Sequence, residues 1–169
     1  MNSLKRYLII GILFVFVTGT LSHFVYGWTG NNGIVGLFFP INESTWEHMK
    51  LIFFPMLVYG IFLNWRCKEV YPQITSALSA GLLFGTLLIP VLFYTYSGAL
   101  GFNLAVVDIA IFFVSVLLAF LAVYRLTLSA KALPYTALLS ILVMIFLLLF
   151  LLFTYFPPQI ALFQDMSQS

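Results

Sequence analysis

Residues 135–156 read YTALLSILVMIFLLLFLLFTYF, 22 positions without a single charge. A hydrocarbon core about 30 Å thick takes roughly 20 helical residues to cross. The stretch has that length, and its apolar side chains run on without the alternation of a barrel strand. Backbone in hydrocarbon must satisfy its own N–H and C=O groups, which a helix does internally. The segment therefore reads as a transmembrane helix.

Working outward, four more apolar segments have suitable lengths: 7–26, 46–65, 74–96 and 102–124. Tyrosine or tryptophan stands at most of their ends, where an amphipathic ring prefers the headgroup boundary. Composition agrees. Of 169 residues, 63% are hydrophobic and 7% charged, whereas a soluble domain carries about a quarter charged residues. The expectation is an all-α integral membrane protein, one domain over 1–169, built as a bundle of five transmembrane helices with the lipid bilayer as its principal partner. Lys5 and Arg6 before the first segment suggest a signal peptide, but the apolar run is longer than a signal core and no A-x-A-like site follows. It reads as a retained span.

Orientation follows from the basic residues. Lys5 and Arg6, Arg66 and Lys68, and Arg125 and Lys131 mark three alternate boundaries, and such ends stay cytoplasmic. The N-terminus is then inside, the C-terminus outside. Connections at 27–45 and 97–101 and a tail at 157–169 lie outside; those at 66–73 and 125–134 lie inside. A net charge of +2, spread in pairs, gives no nucleic-acid surface. The single cysteine, Cys67, excludes an intrachain disulfide and reads as an unmodified cytoplasmic thiol. No internal repeat supports an inverted-repeat carrier. Ala77, Gly81 and Gly85 form a small-residue stripe for close helix approach, within the chain or in a dimer.

The second span departs from this pattern. Counting back from Trp65, the purely apolar run stops at Leu51, too short to cross. The helix must begin between Asn42 and Trp46, which puts Glu47, His48 and Lys50 in its first turns. Asp108 sits about two turns into the fourth span, and an acid at mid-helix costs roughly 2.5–3.5 kcal/mol on insertion scales. His23 lies one turn inside the outer end of the first span, with Tyr94, Tyr96, Asn103, Thr154 and Tyr155 at similar depth. Intramembrane ionisable groups face a bundle interior or wet cavity and mark functional sites. The candidate ligand-binding residues are His23, Glu43, Glu47, His48, Lys50, Tyr94 and Asp108, gathered in an outward-open pocket with Lys50 as counter-charge.

Structural explanations compete for several of these. With Asn42 as N-cap, Ile41 and Trp46 take staple positions; with Ser44 as N-cap, Glu47 completes a capping box. Glu47 and Lys50 share a helix face and form an ion pair. Adjacent Glu47 and His48 make an awkward pair of ligands for one metal, so one of them would join His23 and Asp108, giving His23, His48 and Asp108 as the first choice, the alternative being hydrogen-bonded histidines. No H-x-x-x-H or H-E-x-x-H spacing occurs. Asp108 could instead pair with Lys50 or a tyrosine hydroxyl. Pro55 and Pro90 predict kinks that each free a carbonyl. The sequon Asn42-Glu43-Ser44 lies too close to the membrane for glycosylation, and Gly30, Gly33 and Gly36 make a flexible loop without phosphate-loop context.

The string Pro40-Ile41-Asn42-Glu43-Ser44-Thr45-Trp46-Glu47-His48-Met49-Lys50, preceded by His23-Phe24-Val25-Tyr26-Gly27-Trp28, resembles an uncharacterised family of small bacterial multi-span membrane proteins, a domain of unknown function. A looser likeness covers Tyr94-Thr95-Tyr96-Ser97-Gly98 and Asp108. The resemblance implies a bacterial cytoplasmic membrane and carries no activity or cofactor. The residues themselves favour binding of a small polar solute or cation at the outer face. Moving it would require a homo-oligomer, since five spans are few for an alternating-access carrier. An intramembrane metal-assisted hydrolase at the outer leaflet is the alternative, although no serine or cysteine nucleophile motif is visible. A third is an accessory subunit whose polar cluster locks helices together.

Overall fold

A computed structural model describes residues 3–165; the end of the tail, with the C-terminus expected outside, lies beyond the described residues. The elements are α1 (Ser3–Trp28), a short α2 (Gly33–Gly36), α3 (Thr45–Cys67), α4 (Ile74–Leu100), α5 (Ala105–Ser129) and α6 (Thr136–Phe153). A 3-10 turn at Leu133–Tyr135 leads into α6, and another lies at Ala161–Phe163. No strand occurs among the described residues. The helices α1, α3, α4 and α5, and α6 with its leading turn, are each long and apolar enough to cross a membrane.

Local chemistry sets the boundaries. Ser44 is the N-cap of α3, its hydroxyl accepting from the Glu47 N–H at 3.3 Å, while Asn42 Oδ1 accepts from the Ser44 N–H. The expected capping box is only half made, because the Glu47 carboxylate turns to the Ile41 N–H instead. Gly101 ends α4 in the left-handed region at φ 79°, carrying that helix past Tyr94 and Tyr96 to Leu100. Both α3 and α4 run unbroken through Pro55 and Pro90.

Helices α1, α3, α4 and α5 pack as a ring, α3 and α5 each lying between α1 and α4, with α6 laid against α4 from outside. Met49, Ile52, Val116 and Phe120 are buried in the core, and Phe53 packs against Phe150 of α6. Outward, α1 and α6 leave Ile10, Leu13, Val17, Leu138, Ile141 and Leu148 open. A soluble protein does not tolerate an apolar surface of that extent. Residues 29–44, the α4–α5 turn and the segment after α6 share what is here the loop end of the bundle. Lys5, Arg6, Arg66, Lys68, Arg125 and Lys131 mark the opposite, basic end.

The small-residue stripe is filled inside the chain. A side chain at Gly81 would meet the Ala119 carbonyl at 2.9 Å and run into Val123, and one at Gly85 would meet Ala119 Cβ at 2.6 Å. The stripe thus seats α5 on α4.

At the loop end Lys50 is 1% exposed. Its ammonium donates to Glu47 Oε2 at 2.7 Å, to the Thr154 hydroxyl at 2.7 Å and to the Gly36 carbonyl at 3.0 Å. The same Glu47 oxygen accepts from the Ile41 N–H at 3.0 Å. One buried ion pair thereby ties α3 to the end of α6 and to both halves of the α1–α3 connection.

Two outcomes follow from this packing. Gly81→Val should overpack the α4–α5 seam and destabilise by about 1–3 kcal/mol, read as earlier thermal unfolding in detergent with the oligomeric state unchanged. Lys50→Met leaves Glu47 buried and unpaired, which should cost about 3–5 kcal/mol. Adding Glu47→Gln should recover much of that loss, and a purely additive double mutant would contradict the coupling.

Candidate functional site

His48 lies two residues before Lys50, about 200° away around α3, so it faces the other side of the helix. Its Nδ1 is 2.9 Å from the Ser44 carbonyl. A carbonyl only accepts, so Nδ1 carries the proton and Nε2 points elsewhere. It points at Glu43, whose Oε2 is 3.3 Å away. From α1, His23 Nε2 comes to 3.5 Å of the same oxygen. The imidazoles meet edge to face, centroids 5.3 Å apart, with Phe24 stacked on His23. The ligating atoms of His23, Glu43 and His48 all lie within 4.8 Å of one another.

Glu43 stands in the connection just ahead of the Ser44 cap. Its hydrogen bond with His48 holds the carboxyl below the ordinary carboxylate range; partial burial opposes this, the charges of the two imidazoles assist it, and the Asp165 carboxylate opposes it.

Beside the cluster is a cavity of about 260 Å³. Glu43, Thr45 and His48 form one wall, Asn103, Ala105 and Asp108 another, over apolar side chains that include Leu51, Ile89 and Phe112. Asp108 accepts a hydrogen bond from the Tyr96 hydroxyl, which in turn accepts from the Leu104 N–H. Thr45, 4% exposed, has a buried hydroxyl without a hydrogen-bond partner among the described residues. A second cavity of about 220 Å³ is lined by His23, Tyr26, Pro40 and Glu43 among others. Glu43 borders both, so the His23–Glu43–His48 cluster forms the partition between them.

The seven candidate residues separate into two sites and an outlier. His23, Glu43, His48 and Asp108 surround the two cavities. Glu47 and Lys50 form the buried knot on the opposite face of α3, so Lys50 is no counter-charge for the pocket. Tyr94 is 37% exposed and lines neither cavity; Tyr96, two residues on, is the tyrosine that reaches Asp108. The ligand set expected from sequence, His23, His48 and Asp108, is also rearranged. Asp108 is engaged by Tyr96 and sits across the cavity, while Glu43 occupies the place beside the imidazoles. The Ser44 cap folds the preceding residue back over the first helical turn, a proximity that helix periodicity does not express. The Thr45 hydroxyl, without a partner among the described residues, gave no sequence signal at all.

Comparison with known proteins finds 36% identity over 93 residues with the DNA translocase FtsK of Helicobacter pylori strain J99 and 33% over 93 residues with that of strain 26695. Each alignment takes in 52% of this chain and 10% of the relative, so the chain spans about a tenth of the length of the curated relatives it matches. No solved structure matches. A family model described as a family of unknown function, DUF6512, matches residues 1–169, and the chain belongs to that family.

Proposed function

We propose that the chain is a multi-pass protein of a bacterial cytoplasmic membrane that binds a small cation or polar solute at its non-cytoplasmic face. The open apolar faces of α1 and α6 suit lipid, and the clustering of basic residues at one end suits a cytoplasmic position for that end. The observation that carries the binding reading is the lining of the larger cavity. Its ionisable groups are Glu43, His48 and Asp108, with no lysine or arginine among the lining residues. The nearby ammonium, Lys50, is consumed by Glu47, Thr154 and Gly36. A concave, mostly apolar site with a few convergent acceptors favours a cationic guest. Five spans are few for alternating access, so transport would call for a homo-oligomer. The likeness to FtsK covers too little of those translocases to bring DNA movement into this reading.

A second reading, an intramembrane hydrolase, has one specific observation in its favour. Two imidazoles and a carboxylate stand at the cavity edge, a donor set that in hydrolytic zinc sites leaves a position for water.

Binding is tested by thermal shift and equilibrium binding of detergent-purified protein against monovalent cations and small primary amines. At least one probe should stabilise the chain, and Asp108→Asn should weaken that probe about tenfold or more, as expected for loss of a charge-assisted contact. Equal binding by the variant removes the reading. For topology, Thr29→Cys in a Cys67→Ser background should react with a membrane-impermeant maleimide in intact spheroplasts. Labelling only after lysis would reverse the orientation.

A further inference from the structure

We infer that His23, Glu43 and His48 hold a divalent transition-metal ion of the zinc type, with its remaining position facing the larger cavity. This rests on the reading of the loop end as a cation-binding face and names the cation class.

The first support is proton accounting. His48 donates its Nδ1–H to the Ser44 carbonyl, so in the neutral ring the Nε2 lone pair is aimed at a carboxylate oxygen 3.3 Å away. Two acceptors at that separation repel unless a second ring proton or a metal ion joins them. A metal ion does so without further protonation. A metal-bound histidine ordinarily donates its other ring N–H to a carbonyl or carboxylate, which fixes tautomer and orientation. Ser44 supplies that carbonyl here.

The second support is distance. Bonds of about 2.0–2.2 Å at tetrahedral angles put neighbouring ligand atoms roughly 3.3–3.5 Å apart. The two imidazole-to-carboxylate edges measure 3.3 and 3.5 Å, and no ligand pair exceeds 4.8 Å. Two edges already match tetrahedral spacing, and the third is no longer than 4.8 Å. The ligands come from α1, from α3 and from the residue before its cap, so the site depends on the helices being packed.

The third support is chemical selection. Both histidines of the chain meet here. Imidazole with one carboxylate suits zinc, cobalt or nickel better than calcium or magnesium, which prefer all-oxygen shells. Side-chain exposures of 29–47% leave the cluster reachable from solvent, and the cavities on either side provide an entry path. The competing arrangement is metal-free, with one or both imidazoles protonated against Glu43.

The test uses the full chain without a polyhistidine tag, stripped with chelator in detergent and titrated with Co²⁺ and Zn²⁺, with Ca²⁺ and Mg²⁺ as controls. One Co²⁺ per chain is expected, with the intense visible absorption of a tetrahedral site, displaced by Zn²⁺ and indifferent to Ca²⁺ and Mg²⁺. His23→Gln and Glu43→Gln should each weaken Co²⁺ binding by about a hundredfold or more; His23 is half-buried at a helix end, so that variant guards against a folding defect in changes at His48. Folded wild-type protein that binds no Co²⁺, or variants that bind it equally well, would overturn the site. So would an Asp108→Asn variant losing Co²⁺ as fully as Glu43→Gln, because Asp108 would then be the third ligand. If Co²⁺ fails while an Asp108-dependent amine or monovalent cation still binds, the metal assignment falls and the wider cation reading stands.

Discussion

A lysine ammonium shut away from solvent, in a segment otherwise apolar enough for hydrocarbon, must be given its acceptors by the protein or not ionise there at all. Lys50 receives one for each of its three N–H groups, and they come from three separate parts of the chain: Glu47 on its own helix, Thr154 beyond α6 and the Gly36 carbonyl in the connection. Because those partners lie on one side, α3 can adopt only one rotation about its axis. A lapse of that rotation would strand both charges. The requirement extends into the connection through the Ile41 N–H, which donates to the same Glu47 carboxylate oxygen.

That rotation decides where His48 points. With Lys50 turned toward α6, His48 is turned toward α1, and the depth at which α1 meets it is set one turn further into the bundle. Pro55 has no N–H, so the Leu51 carbonyl lacks its helical donor. Gly19 packs there so closely that a Cβ would stand 2.5 Å from that oxygen. His23 follows Gly19 by four residues and Leu51 follows His48 by three, so each histidine sits one turn toward the loop end from the contact. The proline, the glycine and the two imidazoles thus belong to one geometric arrangement, in which a backbone contact sets the spacing of the side chains above it.

Five helices long and apolar enough to cross a membrane were legible because they depend on hydropathy and length, quantities local to each segment. The Glu47–Lys50 pair was legible for the same reason, being three residues apart on one helix. What the sequence left open depended on relations between segments. Tyr94 and Tyr96 are equally polar and both near the helix end, and nothing in their spacing says which will face Asp108. Glu43 was named as a candidate ligand, but nothing in its spacing placed it beside the imidazoles; the turn made by Asn42 and Ser44 brings it over His48. The choice of Asp108 as a metal partner came from its depth in the bilayer, but depth does not say which other group claims it, and Tyr96 does.

The two polar clusters at the loop end differ in a way that separates a fastening from a site. In the Lys50 knot the donors and acceptors balance, and the groups are almost wholly buried, Glu47 being 2% exposed. Nothing is left over to recognise a guest, and a guest would have to displace bonds worth more than those it could offer. Around Glu43 the account does not balance. A carboxylate and two imidazole rings converge on one point, Asp108 adds a further acceptor across the cavity, and Thr45 presents a hydroxyl without a partner among the described residues. Folding has already met the cost of holding these groups together, through the cap, the proline and the close α1–α3 contact. The cluster beside the open cavity is held in position by the fully satisfied pair on the other face of the same helix.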